Sequence, residues 1–128
     1  MEITAREPGR GVYAATGDYV HAVEVRGAER LVFVAGTMGL DDRGRPGGSL
    51  EDQLGLIWAN IRAILASADM TVDNIVRVTS YLRDPGYAEA NAAARVAALK
   101  GRAVATTAIV ARTLVDDWLV EVEVIAAG

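Results

Sequence analysis

Near its C-terminus the chain reads Val120-Glu121-Val122-Glu123-Val124, a strict alternation of an apolar residue with a carboxylate. Side chains of a strand point to opposite faces with period two, so the two glutamates share one face and the three valines the other. Facing water, such a pair is only the solvated side of a half-buried antiparallel strand. In a partly dry cleft it becomes chemically useful, because desolvation lifts a carboxyl pKa toward working pH, where it takes and returns protons. Few other groups compete for a chemical role. There is no cysteine, which excludes disulfides, thiolate nucleophiles and thiolate metal sites. The lone histidine, His21, cannot build a multi-histidine metal site, and within the strand-like DYVHAVEV it reads as a structural or interface residue.

Positioning such carboxylates requires a sheet with one face left free, and 128 residues of 52% hydrophobic composition are ample for one packed domain, 1–128. Runs 19–25 and 31–35 are rich in valine and aromatics, and Arg26-Gly27-Ala28-Glu29-Arg30 between them predicts a paired hairpin. Residues 39–49 read as a loop. Ser49, with Asp52 three residues on, predicts the cap of a helix over about 50–67, its apolar stripe being Leu50, Leu54, Ile57, Trp58, Ile61, Ile64 and Leu65. IVRVTSYL at 75–82 predicts a third strand, with Val76, Val78, Ser80 and Leu82 opposite Arg77, Thr79 and Tyr81. Asp84-Pro85 opens a second helix over 86–99 that Gly101 ends. Two further strands follow at 103–111 and 118–126.

Strand, strand, helix, strand, helix, strand, strand favours an α+β fold, a mixed sheet with both helices packed on one face. The free face then carries Glu121 and Glu123 with one set from the neighbouring strand, either Thr107 and Ile109 or Thr106 and Ala108. Apolar groups, threonines and carboxylates together make a plausible subunit interface, in which a polar group is held in a partly dry cleft.

Charge narrows the partners. With 13 basic against 17 acidic residues, net −4, and scattered arginines, the chain lacks the basic footprint of a nucleic-acid binder. The N-terminal residues lack the apolar core of a signal peptide, and no apolar run approaches the roughly 18 residues that cross a bilayer. A cytoplasmic protein without membrane partners is the expectation.

The chain resembles the Rid family, the reactive intermediate deaminases also called the YjgF family. The matching pieces are GVYAA at 11–15, LVFVAGTMGLD at 31–41, EDQLGLIWANIRAIL at 51–65, TVDNIVRVTSYLRDPGYAEAN at 71–91 and LVEVEVIA at 119–126. The resemblance implies a chorismate-mutase-like fold, a homotrimer with three clefts between subunits, and hydrolysis of an enamine or imine to a ketone and ammonia without metal or cofactor. Tyr13, Gly36, Asn91 and Glu121 fall on positions that line the family's cleft, and Glu121 matches the glutamate that helps position and activate water.

Two positions depart from the family pattern. The family's deaminases carry an arginine that holds the substrate carboxylate at the entry to the penultimate strand; here RAVATTAIV puts Ala105 in its place, followed by Thr106 and Thr107. No short residue replaces a bidentate guanidinium. Ala35 stands where a serine or threonine is usual, just before Gly36. Arg102 and Arg112 are the cations expected nearby. Glu121 is therefore the candidate proton shuttle, Tyr13 a hydrogen-bond donor or a ring packed at the seam, and Thr107 a ligand hydroxyl or simply a strand former. Two hypotheses follow: a deaminase-type hydrolase of altered specificity, and a trimer that binds a small molecule without chemistry. Ribonuclease action is the poorer third reading.

Overall fold

The computed structural model describes residues 1–128. Its strands are β1 (Glu2–Arg6), β2 (Ala22–Arg26), β3 (Leu31–Met38), β4 (Ile75–Leu82), β5 (Ala105–Val110) and β6 (Val120–Ala127), and its helices are α1 (Leu50–Ala66) and α2 (Ala88–Ala98). Short 3-10 turns at Val72–Asn74 and Pro85–Tyr87 lead into β4 and α2. A four-stranded mixed sheet has the order β3-β6-β4-β5, with β4 and β5 parallel and the other pairs antiparallel. β1 and β2 form a separate antiparallel ribbon.

The alternation of β6 decides the layering. Val120, Val122 and Val124 are buried with Val78 and Leu82 of β4 against Leu54, Ile57, Trp58, Ile61 and Leu65 of α1, within one cluster of 18 core residues. Both helices lie on that side, so the fold is the α+β arrangement that the sequence predicts. α1 begins where expected, with the Ser49 hydroxyl accepting from Asp52 N at 3.1 Å and Glu51 and Asp52 in its first turn, where the helix dipole favours acids. Asp84 caps the Pro85 turn by accepting from Gly86 N at 2.7 Å, and beyond α2 the chain reverses through Lys100 and Gly101 at φ 56° and 78°. Ile64 departs from the expected stripe and lies exposed.

Two pairings differ from the sequence reading. β2 does not form a hairpin with β3. Its partner is β1, which the sequence reading missed because Glu-Ile-Thr-Ala-Arg is short and largely exposed. The linker after β2 is tied to the end of β6 instead: Glu29 N and Arg30 N donate to the Gly128 carbonyl at 3.0 and 2.8 Å. The second difference concerns β5, which lies beside β4 and not beside β6.

One buried polar side chain joins the helix layer to both loops around the free face. Gln53 on α1, 3% exposed, donates to the carbonyls of Gly47 at 3.1 Å and Asp117 at 2.8 Å and accepts from Leu119 N at 2.9 Å. A buried backbone group left unpaired costs about 1–3 kcal/mol. Gln53→Leu should therefore lower the unfolding free energy by roughly 3 kcal/mol in urea melts, whereas a loss within 0.5 kcal/mol, as for an ordinary surface change, would show that water replaces these bonds.

Candidate active site

On the face away from the helices the sheet presents a grid set by register. Arg77 pairs with Ala105 on one side and Ile125 on the other; the next row holds Thr79, Thr107 and Glu123, and the next Tyr81, Ile109 and Glu121. Of the two sets left open by the sequence, Thr107 and Ile109 face this side. Thr106 points the other way, and its hydroxyl donates to the Val104 carbonyl at 3.0 Å.

The edge strand β3 is shaped to receive a side chain. Its register jumps from Val34 opposite Val124 to Thr37 opposite Val122, so Ala35 and Gly36 together face Glu123 in a β-bulge. Glu121 lies across that bulge. A Cβ at Gly36 would stand 2.9 Å from Glu121 Cδ and closer still to Oε2, so only glycine leaves the carboxylate this seat. Glu121, Glu123, Gly36, Tyr81, Arg112 and Leu114 line a concavity of about 270 Å³.

Glu123 is held from β4. The Tyr81 hydroxyl donates to its Oε1 at 2.5 Å. This hydrogen bond, then desolvation, then the charges of Glu123 and Glu121 push the phenol above its ordinary 10.0, offset in part by Arg77. The rim at 111–118 is anchored by Arg83, which donates to the Thr113 carbonyl and hydroxyl at 3.2 and 2.9 Å and to Asp116 Oδ1 at 3.0 Å. Arg112 on that rim is exposed and forms no ion pair, and Leu114 is 93% exposed.

The remaining sequence candidates are spread over the chain. Tyr13 is 75% exposed on the segment before β2, where its carbonyl accepts from His21 Nε2 at 2.7 Å and its ring meets the imidazole edge-on. Both line a different hollow of about 410 Å³ with Glu7 and Ala103. Asn91 is buried on α2, in the helix layer and outside the Glu121 concavity. One turn on, Arg95 fastens the Tyr13 segment to α2 by donating to the Asp18 carbonyl at 2.6 Å and Oδ2 at 2.7 Å. The Thr16 hydroxyl and this guanidinium hold the Asp18 carboxyl below its ordinary value. Ala105 bridges to Val20, so the Tyr13 segment adjoins the β5 edge. A single chain thus brings Glu121 and Gly36 together and leaves Tyr13 and Asn91 apart from them.

Of the expected cations, Arg102 turns away, donating to the Val72 carbonyl at 2.8 Å. Arg77 is the cation that the sequence reading passed over, and it lies on the free face donating to Thr107 Oγ1 at 3.1 Å. The alternation of IVRVTSYL had already set it opposite the buried valines. No group of three or more His, Asp or Glu side chains is gathered as a metal site, and no helix is long and apolar enough to cross a membrane.

This fold and site define a class. Residues 11–128 match the family described as Endoribonuclease L-PSP, and the chain belongs to it, the Rid/YjgF family. It is 33% identical over 85 residues to the RutC family protein YjgH of Escherichia coli strain K12, covering 66% of this chain and 63% of that one. It is 31% identical over 114 residues to the RutC family protein PH0854 of Pyrococcus horikoshii, covering 86% of each. With YjgH the match therefore spans under two thirds of the relative's length. Among solved structures, the Rid family protein YyfB of Yersinia pestis superposes with TM-score 0.84 over 100% of both chains at 24% identity, a likeness of fold. The structure of YjgH superposes with TM-score 0.70 at 30% identity, over 85% of this chain and 82% of that one.

The Tyr81–Glu123 pair gives a pH signature. A phenol whose pKa is raised on folding contributes stability in full below its unfolded value, and loses it as pH climbs through the raised one. Difference absorbance titration of the native protein against Tyr81→Phe should assign Tyr81 an ionisation above 10.0. An ionisation at or below that value would mean the hydrogen bond is absent in solution.

Proposed function

We propose that the chain is a hydrolase acting on a small imine, or on an enamine after protonation at carbon, in clefts closed by further copies of itself in a homotrimer. The observation that carries this reading is the Glu121 carboxylate seated over Gly36 in a concavity walled by Tyr81, Glu123 and Arg112. Exposed apolar groups on and beside the same face, Phe33 at 70%, Ile109 at 48% and Leu114 at 93%, support covering by a second copy. So does the separation of Tyr13 from Glu121, since a neighbouring subunit's Tyr13 segment would complete the cleft.

The chemistry needs one group that carries a proton both ways. Glu121 accepts a proton from water as the water oxygen bonds to the carbon of the nitrogen-protonated imine and the carbon–nitrogen π electrons pass to nitrogen, giving a neutral carbinolamine. It then returns that proton to nitrogen; the carbon–nitrogen bond breaks, ammonia leaves, and the hydroxyl proton is lost as the ketone forms. A covering subunit would exclude bulk water, so that the attacking water and the carboxylate meet in a fixed geometry. Gly36, with no side chain of its own, lets a substrate atom approach the backbone beside the seated carboxylate. No metal or cofactor enters these steps. Ala105 offers no charge, so the substrate is held differently from those of arginine-bearing relatives.

Ribonuclease action, which the family description names, finds less support. The net charge is −4, and the single imidazole lies with Tyr13, away from the carboxylates. A trimer that binds without chemistry shares the same cleft and differs in one respect only, the work of Glu121.

Imines generated by an amino-acid oxidase and followed by ketone release separate these readings. Glu121→Gln should lower turnover by roughly 10² to 10⁴-fold while leaving the melting curve nearly unchanged. Full turnover in that variant would remove Glu121 from catalysis, and ligand binding without turnover in the native protein would favour the binding trimer. Gly36→Ala, which unseats the carboxylate without removing it, should lose activity while remaining folded; native kinetics in that variant would mean the seat is irrelevant.

A further inference from the structure

The charge missing at Ala105 has a neighbour able to supply it. Ala105 and Arg77 are register partners on adjacent parallel strands, both on the free face and so about 4.8 Å apart at the backbone. An arginine at 105 would set two guanidiniums side by side. Alanine removes that repulsion and leaves room for Arg77 to lie along β5, where it donates to Thr107 Oγ1 at 3.1 Å, one row nearer Glu121. A guanidinium has five N–H donors, and this single bond is the only side-chain partner Arg77 has. No carboxylate lies within 4.0 Å of it, unlike Arg83 and Arg95, each of which has one. It is also half-buried.

Arg77 faces a smaller hollow of about 160 Å³, walled by Phe33, Thr79, Glu123 and Ile125. Glu123 is common to this hollow and to the 270 Å³ concavity of Glu121. Its Oε1 is engaged by the Tyr81 hydroxyl, which ties the carboxylate to β4. The two hollows therefore meet at a fixed wall, with an unpaired cation on one side and the proton-carrying acid on the other.

We propose that Arg77 holds the anionic end of the substrate, a carboxylate on a small oxo or imino compound, with the carbonyl or imine carbon lying toward Glu121. This rests on the catalytic reading for the position of the reacting carbon, but not for the anion site itself. The charge has moved one strand, from β5 to β4, so acids of different length from those of arginine-bearing relatives fit, and specificity for anions is kept. Arg77 is a binding residue and Thr107 positions its guanidinium.

Calorimetric titration with 2-oxobutyrate and 4-oxopentanoate, each beside its neutral amide, tests the site without requiring turnover. The native protein should bind at least one acid roughly tenfold or more tightly than its amide, as charge-assisted bonds demand. Arg77→Ala should erase that preference and leave amide binding intact, Arg77→Lys should keep part of it, and Glu123→Gln, by removing a competing charge, should strengthen it. Equal binding of acid and amide by the native protein, or a preference lost no more in Arg77→Ala than in Arg112→Ala, would overturn the assignment. So would dissociation of the assembly in both Arg77→Ala and Arg77→Lys, which would mark Arg77 as an intersubunit ion pair. Arg77-dependent acid binding without imine turnover would leave this site standing and remove the catalytic reading; turnover of neutral imines with no acid preference would do the reverse.

Discussion

Everything in this molecule depends on β6 being a central strand with a fixed register. It is hydrogen-bonded on both sides, by β3 and β4, so its backbone is satisfied and its two faces are committed. A slip of one residue would carry Glu121 and Glu123 into an apolar core and turn Val120, Val122 and Val124 out to the free face. Burying two unpaired carboxylates is far more costly than any single gain in packing, so the carboxylates stay on the free face. The alternation that buries the three valines in the core is therefore also what sets the two carboxylates on the free face.

The free face is organised by smaller devices laid over that register. The bulge at Ala35 and Gly36 bends β3 and removes a side chain just where Glu121 needs room. Tyr81 ties down Glu123, Arg83 ties down the rim, and Gln53 fixes the two loops from behind. Such supports hold acidic groups at a set spacing on a rigid sheet, and preorganisation of that kind lowers the cost of reaching a reactive geometry. What the single chain lacks is a roof. Phe33 and Leu114 remain in water, and the Tyr13 segment sits on another part of the surface.

Local signals in the sequence were legible where they were strong. The period-two pattern at 75–82 and 120–124 gave two strands and their buried faces, and Ser49 gave the start of α1. The family resemblance supplied the proposed assembly and the proposed role of Glu121. Pairing was harder. The partner of β2 depends on β1, whose five residues carry too little apolar content to announce a strand, and the place of β5 is set by a parallel crossover through α2 that no local pattern encodes. Gln53 was hidden because a polar residue on an amphipathic helix reads as solvated; only the tertiary contacts show it buried. Arg77 was in plain view, but its value lies in facing Ala105 across two strands whose adjacency the sequence does not state.

The central claim is that Glu121 works in a space closed by other copies of this chain. Sedimentation equilibrium over a range of protein concentrations tests it most directly. The expected result is a particle of three times the 13.5 kDa chain mass, persisting at the dilutions used for activity. A particle of a single chain's mass throughout would contradict it, because the carboxylate would then stand in open water with no cleft to act in.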